Sequence, residues 1–154
     1  MRFSELLTAE CVLPDIMANC KREAFKVIAE HAAMSAGVSA NEIVNVLLNR
    51  EKLGSTGVGE GVAIPHAKID DLPKITGVLA RLSKPIDFDA MDDQPVDLVF
   101  ALLAPTNATA AHLKALAQVS RLLRDDDVRD ALRGADSAEA MYLIATSDHR
   151  DNAA

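Results

Sequence analysis

A chain of 154 residues has room for one domain with a substantial hydrophobic core. Its 16 Lys and Arg against 23 Asp and Glu leave a net charge of −7, which argues against nucleic acid, because phosphate-backbone binding needs a basic face. Aromatic residues make up only 3% and Trp is missing, so base-stacking platforms are excluded and the core falls to Leu, Val, Ile and Ala.

The opening Met1-Arg2-Phe3-Ser4-Glu5 lacks the basic-then-apolar pattern of an export signal. No later apolar run approaches the roughly 18–20 residues of a membrane span. The expectation is a cytoplasmic chain without membrane insertion. Residues 4–7 read as a short helix, and Cys11, Val12 and Leu13 as an extended piece that stops at Pro14. Cys11 and Cys20 are too few for a disulfide scaffold or a four-thiolate zinc site, and read as small buried hydrophobes. Ala24, Phe25, Ile28, Ala32 and Ala36 recur at helical spacing, which predicts a helix over residues 21–36 closed by Gly37. Ser39 and Glu42 form a capping box for a second helix, whose stripe is Ile43, Val46 and Leu47 and whose end lies near Gly54.

A glycine-rich loop follows, Gly54-Ser55-Thr56-Gly57-Val58-Gly59-Glu60-Gly61, and then the extended stretch Val62-Ala63-Ile64-Pro65-His66. Residues 75–82 and 97–104 read as strands, the second so continuously apolar that both faces should be buried. A long helix over 109–124, a short one over 128–132 stopped by Gly134, and a last helix through Ala145 with a cap suggested by Asp136 and Glu139 complete the pass. The alternation of helices and strands favours an α/β class, a single domain over residues 1–147 and a frayed tail over 148–154.

The glycine loop lacks a Gly-Lys-Ser/Thr ending, and a helix precedes it where nucleotide-binding loops need strand, loop and helix in that order. Its glycines still require positive φ or a close approach, and its N–H groups could face an anion, although a flexible connection fits the spacing too. His66 is the candidate partner: Pro65 fixes its own φ and keeps Ile64 extended, so the backbone delivering the imidazole is tightly constrained. Arg50 lies on the apolar stripe of its helix, where it either snorkels or satisfies the last carbonyls of the helix, or else reaches toward the loop. His112 continues the buried stripe of the long helix into its first turn, either as a satisfied core histidine or beside an anion at the helix N-terminus. Taken together, two histidines and an arginine aimed inward around a glycine loop describe an anion site. A metal reading fails on ligand count, since no acid or thiolate sits at a ligand spacing from either histidine. His31 and His149 carry no chemistry here. Asp70, Asp71, Asp92 and Asp93 read as solvated turns.

The run from Arg50 through the glycine loop to Ala63-Ile64-Pro65-His66 resembles the IIA components of the bacterial phosphotransferase system, of the fructose/mannitol type and nearest the nitrogen-regulatory kind. Phe88-Asp89-Ala90-Met91-Asp92-Asp93-Gln94-Pro95-Val96-Asp97 and His112-Leu113-Lys114-Ala115-Leu116 fit the same family. The resemblance implies a small mixed, mainly parallel sheet with helices on both faces. It implies that His66 is phosphorylated on Nε2 by an HPr-like phosphocarrier, with His112 hydrogen-bonding the phosphoryl group, Arg50 stabilising its charge, and Thr56, Gly57 and Gly59 in the phosphoryl-binding loop. No metal or other cofactor is implied. Val58, Val62 and Ile64, close in sequence to His66, are expected to form an apolar docking collar. No IIB-like segment follows the domain, which favours a regulator acting on unidentified target proteins through its phosphorylation state over a transport component passing phosphate to a IIB domain.

Overall fold

The computed structural model describes residues 2–147. The expected tail over 148–154, His149 included, lies outside the described residues. A short helix α1 (Phe3–Leu6) and a 3₁₀ turn (Ala9–Cys11) lead into β1 (Val12–Ile16), followed by the helical hairpin α2 (Lys21–Ala36) and α3 (Ala40–Lys52). Five strands follow: β2 (Gly57–Gly59), β3 (Val62–Ala63), β4 (His66–Ile69), β5 (Thr76–Ile86) and β6 (Val96–Pro105). Three helices complete the described residues: α4 (Thr109–Arg124), α5 (Asp126–Gly134) and α6 (Ala138–Ala145).

Among the described residues the strands form one mixed sheet in the order β1-β5-β6-β3-β2, with β4 also paired to β6. The β1/β5, β3/β6 and β4/β6 pairs are parallel, while β2/β3 and the long β5/β6 ladder are antiparallel. This is the mixed α/β sheet with helices on both faces that the resemblance implies. One layer is α2 packed on α3, against β5 and β4; the other is the series α4, α5 and α6, which reaches from β6 to β1. Strand β6 is the core: Leu98 to Ala104 are each at most 1% exposed, as the unbroken apolar run predicts.

The helix ends follow the sequence chemistry. Gly37 closes α2 with φ of 72°, and Ser39 accepts the Glu42 N–H at the start of α3. Three expectations need correction. The first strand runs through Pro14 to Ile16, which is possible because β1 is a sheet edge, where a missing N–H breaks no ladder. The last helix is capped by Ser137, whose oxygen accepts the Ala140 N–H, rather than by Asp136. Cys11 is buried, but Cys20 is exposed at the N-cap of α2.

Two features of the sheet place the functional segment. The first is a β-hairpin inside the glycine loop: β2 and β3 are joined by Glu60 and Gly61, with φ of 59° and 76°. Positive φ at both central residues is the twist a two-residue hairpin turn needs. Gly57 in β2 has no room for a side chain, since a Cβ there would lie 2.8 Å from that of Ala90. The second is that β3 and β4 run in line along β6 in one register, Val62 opposite Leu98 and His66 opposite Leu102. The break between them falls at Ile64 and Pro65. Proline has no N–H for the ladder, yet its carbonyl still accepts the Leu102 N–H at 2.9 Å. His66 is therefore presented from the first residue of β4, against the buried centre of the sheet.

Candidate functional site

His66 opens β4, and Lys68 two residues on shares its strand face. Nδ1 of His66 lies 2.8 Å from the carbonyl oxygen of Ile64. A carbonyl only accepts, so Nδ1 carries the proton and Nε2 keeps its lone pair. The ring meets that of His112 edge to face, with centroids 5.7 Å apart and planes at 69°. His112 comes from the first turn of α4, is 5% exposed, and its Nε2 is buried without a hydrogen-bond partner among the described residues. From the last turn of α3, Arg50 donates from Nη1 to the carbonyl of Gly54 at 3.0 Å, and it makes no ion pair with any described residue. Arg50, His66, Lys68 and His112 line one open depression of about 400 Å³ together with Leu53 and Val46.

The structure therefore brings together the three residues singled out around the loop, and adds Lys68, whose Nζ donates to Thr109 Oγ1 at 2.8 Å. Alternation along β4 from His66 could have found it. The loop donors are differently placed. Thr56 is 4% exposed and gives both its N–H and its hydroxyl to Glu51, while the Gly57 N–H donates to Ser55 Oγ. These groups hold the loop in shape and are not free for an anion. Gly59 is buried in the β2–β3 hairpin opposite Val62. The far side of the loop is pinned as well, by Arg133, which donates to the Glu60 carbonyl at 2.7 Å and pairs with Asp97 at 2.9 Å. Asp92 is not merely a solvated turn: it accepts the Glu60 N–H, and that bond, with one from the Gln94 N–H, holds its carboxyl below the usual range. Of the expected docking collar Val58 is half exposed, whereas Val62, in the strand paired with β6, and Ile64, at the break after it, are 1% and 3% exposed. A partner meets Val58 alone of the three. Leu53, at 84%, Leu113, next to His112 and at 63%, and Met91, at 80% and with its N–H toward the Gly57 carbonyl, are further exposed apolar groups among the described residues.

Burial holds His112 below the ordinary histidine pKa, and the neighbouring charges of His66 and Lys68 push in the same direction. The imidazole is thus neutral near pH 7. A group whose folded pKa is depressed binds its proton more readily in the unfolded chain, so its contribution is intact above the unfolded value of about 6.5 and is lost as pH falls through the folded value. Thermal melts from pH 8 to pH 5 should show stability falling below about pH 6.5, and His112→Gln should flatten that part of the profile. An unchanged slope in the variant would clear His112 of the effect.

A constrained imidazole with a free Nε2, flanked by a guanidinium and a second imidazole, is suited to holding a transferable anion. Residues 5–147 match the family model described as "Phosphoenolpyruvate-dependent sugar phosphotransferase system, EIIA 2". The chain belongs to this family. Among EIIA 2 relatives, the nitrogen regulatory protein of Bradyrhizobium diazoefficiens is 51% identical over 144 residues, covering 94% of each chain. The crystal structure of the nitrogen regulatory protein IIA-Ntr from Neisseria meningitidis superposes with a TM-score of 0.89 at 35% identity, covering 94% of this chain and 99% of that one. The enzyme IIA of mannitol from Escherichia coli, solved in complex with phosphorylated IIB, gives 0.77 at 25% identity, covering 91% and 98%. The EIIA 2 assignment agrees with the sheet described above. No helix among the described residues is long and apolar enough to cross a membrane.

Proposed function

We propose that this chain is a cytoplasmic phosphoryl carrier of the phosphotransferase system. His66 accepts the phosphoryl group on Nε2 from an HPr-like phosphocarrier, and the phosphorylation state then governs binding to regulatory target proteins. The observation that carries the reading is the hydrogen bond from His66 Nδ1 to Ile64 O, which leaves Nε2 as the nucleophile in the depression shared with Arg50 and His112. In the transfer the Nε2 lone pair attacks phosphorus, the new N–P bond forms as the donor's N–P bond breaks, and that electron pair returns to the donor imidazole. Such transfers depend on in-line positioning and on charge to meet the three equatorial oxygens. Arg50 supplies a guanidinium that, among the described residues, has only a carbonyl to release. His112 supplies a buried Nε2 in need of a partner, and a dianion beside it favours its protonated, donating form. The regulatory role is supported by the likeness to nitrogen regulatory proteins.

The group that arrives carries roughly two negative charges. A target that covers Val58, Leu53 and Leu113 would bury the bare imidazole but meet a dianion in the modified protein, and a difference of about 1.4 kcal/mol changes affinity tenfold. The test is incubation with phosphoenolpyruvate, enzyme I and an HPr-like carrier, followed by mapping of the acid-labile phosphate and titration of isolated targets with both forms. Label in the His66 peptide and a state-dependent affinity are expected. Label on His112 would reject the site. Equal affinities together with rapid transfer to a fructose/mannitol-type IIB domain would make the chain a transport component.

A further inference from the structure

The hydrogen bond that orients the His66 ring ends on Ile64, and Ile64 is itself held from the other side. Its N–H donates to the Thr56 carbonyl at 2.9 Å. Thr56 in turn donates its N–H to Glu51 at 3.0 and 3.3 Å, and its hydroxyl at 2.6 Å. Lys21, in the first turn of α2, completes the row with an ion pair to Glu51 at 2.9 Å, and its ammonium also lies over the Phe88 ring. A continuous row of hydrogen bonds thus joins Lys21, Glu51, Thr56 and Ile64 to Nδ1 of His66. It passes no charge along, because the N–H and the carbonyl of Thr56 belong to different peptide units, as do those of Ile64. It works by position alone.

The Glu51 side chain is only 5% exposed. A carboxylate so deep is costly unless it is paired and hydrogen-bonded, and here Lys21 and Thr56 do both. The Glu51 carboxylate grips the loop at Thr56, while the neighbouring Arg50 grips it at Gly54. One turn of α3 therefore sets both the nucleophile and the cation that meets the phosphoryl group. Resting on the reading of His66 as the acceptor, we propose that Glu51 is a positioning residue for the transfer: acting through Thr56 and Ile64, with Lys21 as counter-ion, it fixes the plane and the tautomer of the His66 ring.

The test reads the ring directly. ¹⁵N NMR of the unphosphorylated protein, at a pH where the imidazole is neutral, compares wild type with Glu51→Gln, Thr56→Val, Thr56→Ser and Lys21→Met. Wild type and Thr56→Ser, which keeps the hydroxyl, should show His66 protonated on Nδ1 only. Glu51→Gln and Thr56→Val should show a tautomer mixture, with Lys21→Met between the two. Phosphoryl acceptance should fall with the ring change by roughly tenfold or more, since small misplacements of a reacting atom are expensive. The loss should lie in kcat, with the carrier KM within about twofold of wild type. If Glu51→Gln does not fold, Thr56→Val carries the test, because it leaves Glu51 paired with Lys21 and with the residue 56 N–H. Wild-type ring signals in both variants overturn the proposal, and so does slowed acceptance without a ring change. A wild-type protein that never takes label would overturn the phosphoryl reading instead, since the ring signals are read without phosphate.

Discussion

His66→Ala should accept no acid-labile phosphate from any carrier, while melting within a few degrees of wild type. The side chain is only partly buried, and the hydrogen bond it makes to Ile64 O contributes about 0.5–1.5 kcal/mol. The strand beneath it is held by the backbone ladder to β6, which alanine leaves intact. Function and stability therefore separate cleanly at this position. Residual label in the folded variant, mapped to another residue, would remove His66 from its role.

Arg50→Ala should fold and accept phosphate on the order of 10²–10³ more slowly, the usual cost of removing one preorganised group that stabilises developing charge. Among the described residues Arg50 is bound only to the carbonyl of Gly54, so its loss strands no buried carboxylate. Arg50→Lys should recover part of the rate, because it restores the charge but not the planar two-pronged donor that suits phosphoryl oxygens. Single-turnover transfer from a phosphorylated carrier, with melting curves alongside, checks both variants. A wild-type rate in a folded Arg50→Ala protein would reduce the side chain to a clasp on the loop.

The helices and the central strand were legible because their signals are local. The repeat through Ala24, Phe25, Ile28, Ala32 and Ala36 reports a helix face whatever it packs against, and the run from Leu98 to Ala104 reports a strand buried on both sides. His66, Arg50 and His112 could be read because each departs from the pattern of its own element. What escaped depends on the chain folding back. Glu51 reads as one more acid in the last turn of a helix, and becomes buried only when Thr56 and Lys21 close over it. Val62 and Ile64 sit near His66 in sequence, but Val62 pairs with β6, Ile64 is tied to the Thr56 carbonyl, and both end up in the core. Proximity along the chain said nothing about which residues a partner could touch. Other turns carry a weaker local signal: Asp15, Asp71, Asp89 and Asp93 take positive φ, a region that aspartate enters more readily than most residues.

The shared register of β3 and β4 along β6 also governs where this chain can change length. Between Val62 and His66 a single inserted or deleted residue would turn the imidazole to the opposite face of the sheet, away from Arg50 and His112, because side chains alternate with a period of two. The Glu60-Gly61 turn lies upstream of that ruler, and the connection from Asp70 to Lys74 lies downstream of it. A peptide tag or reporter spliced into the 70–74 connection leaves the paired residues aligned, whereas the same graft at 64 or 65 dismantles the site while leaving Arg50, His66 and His112 themselves unaltered.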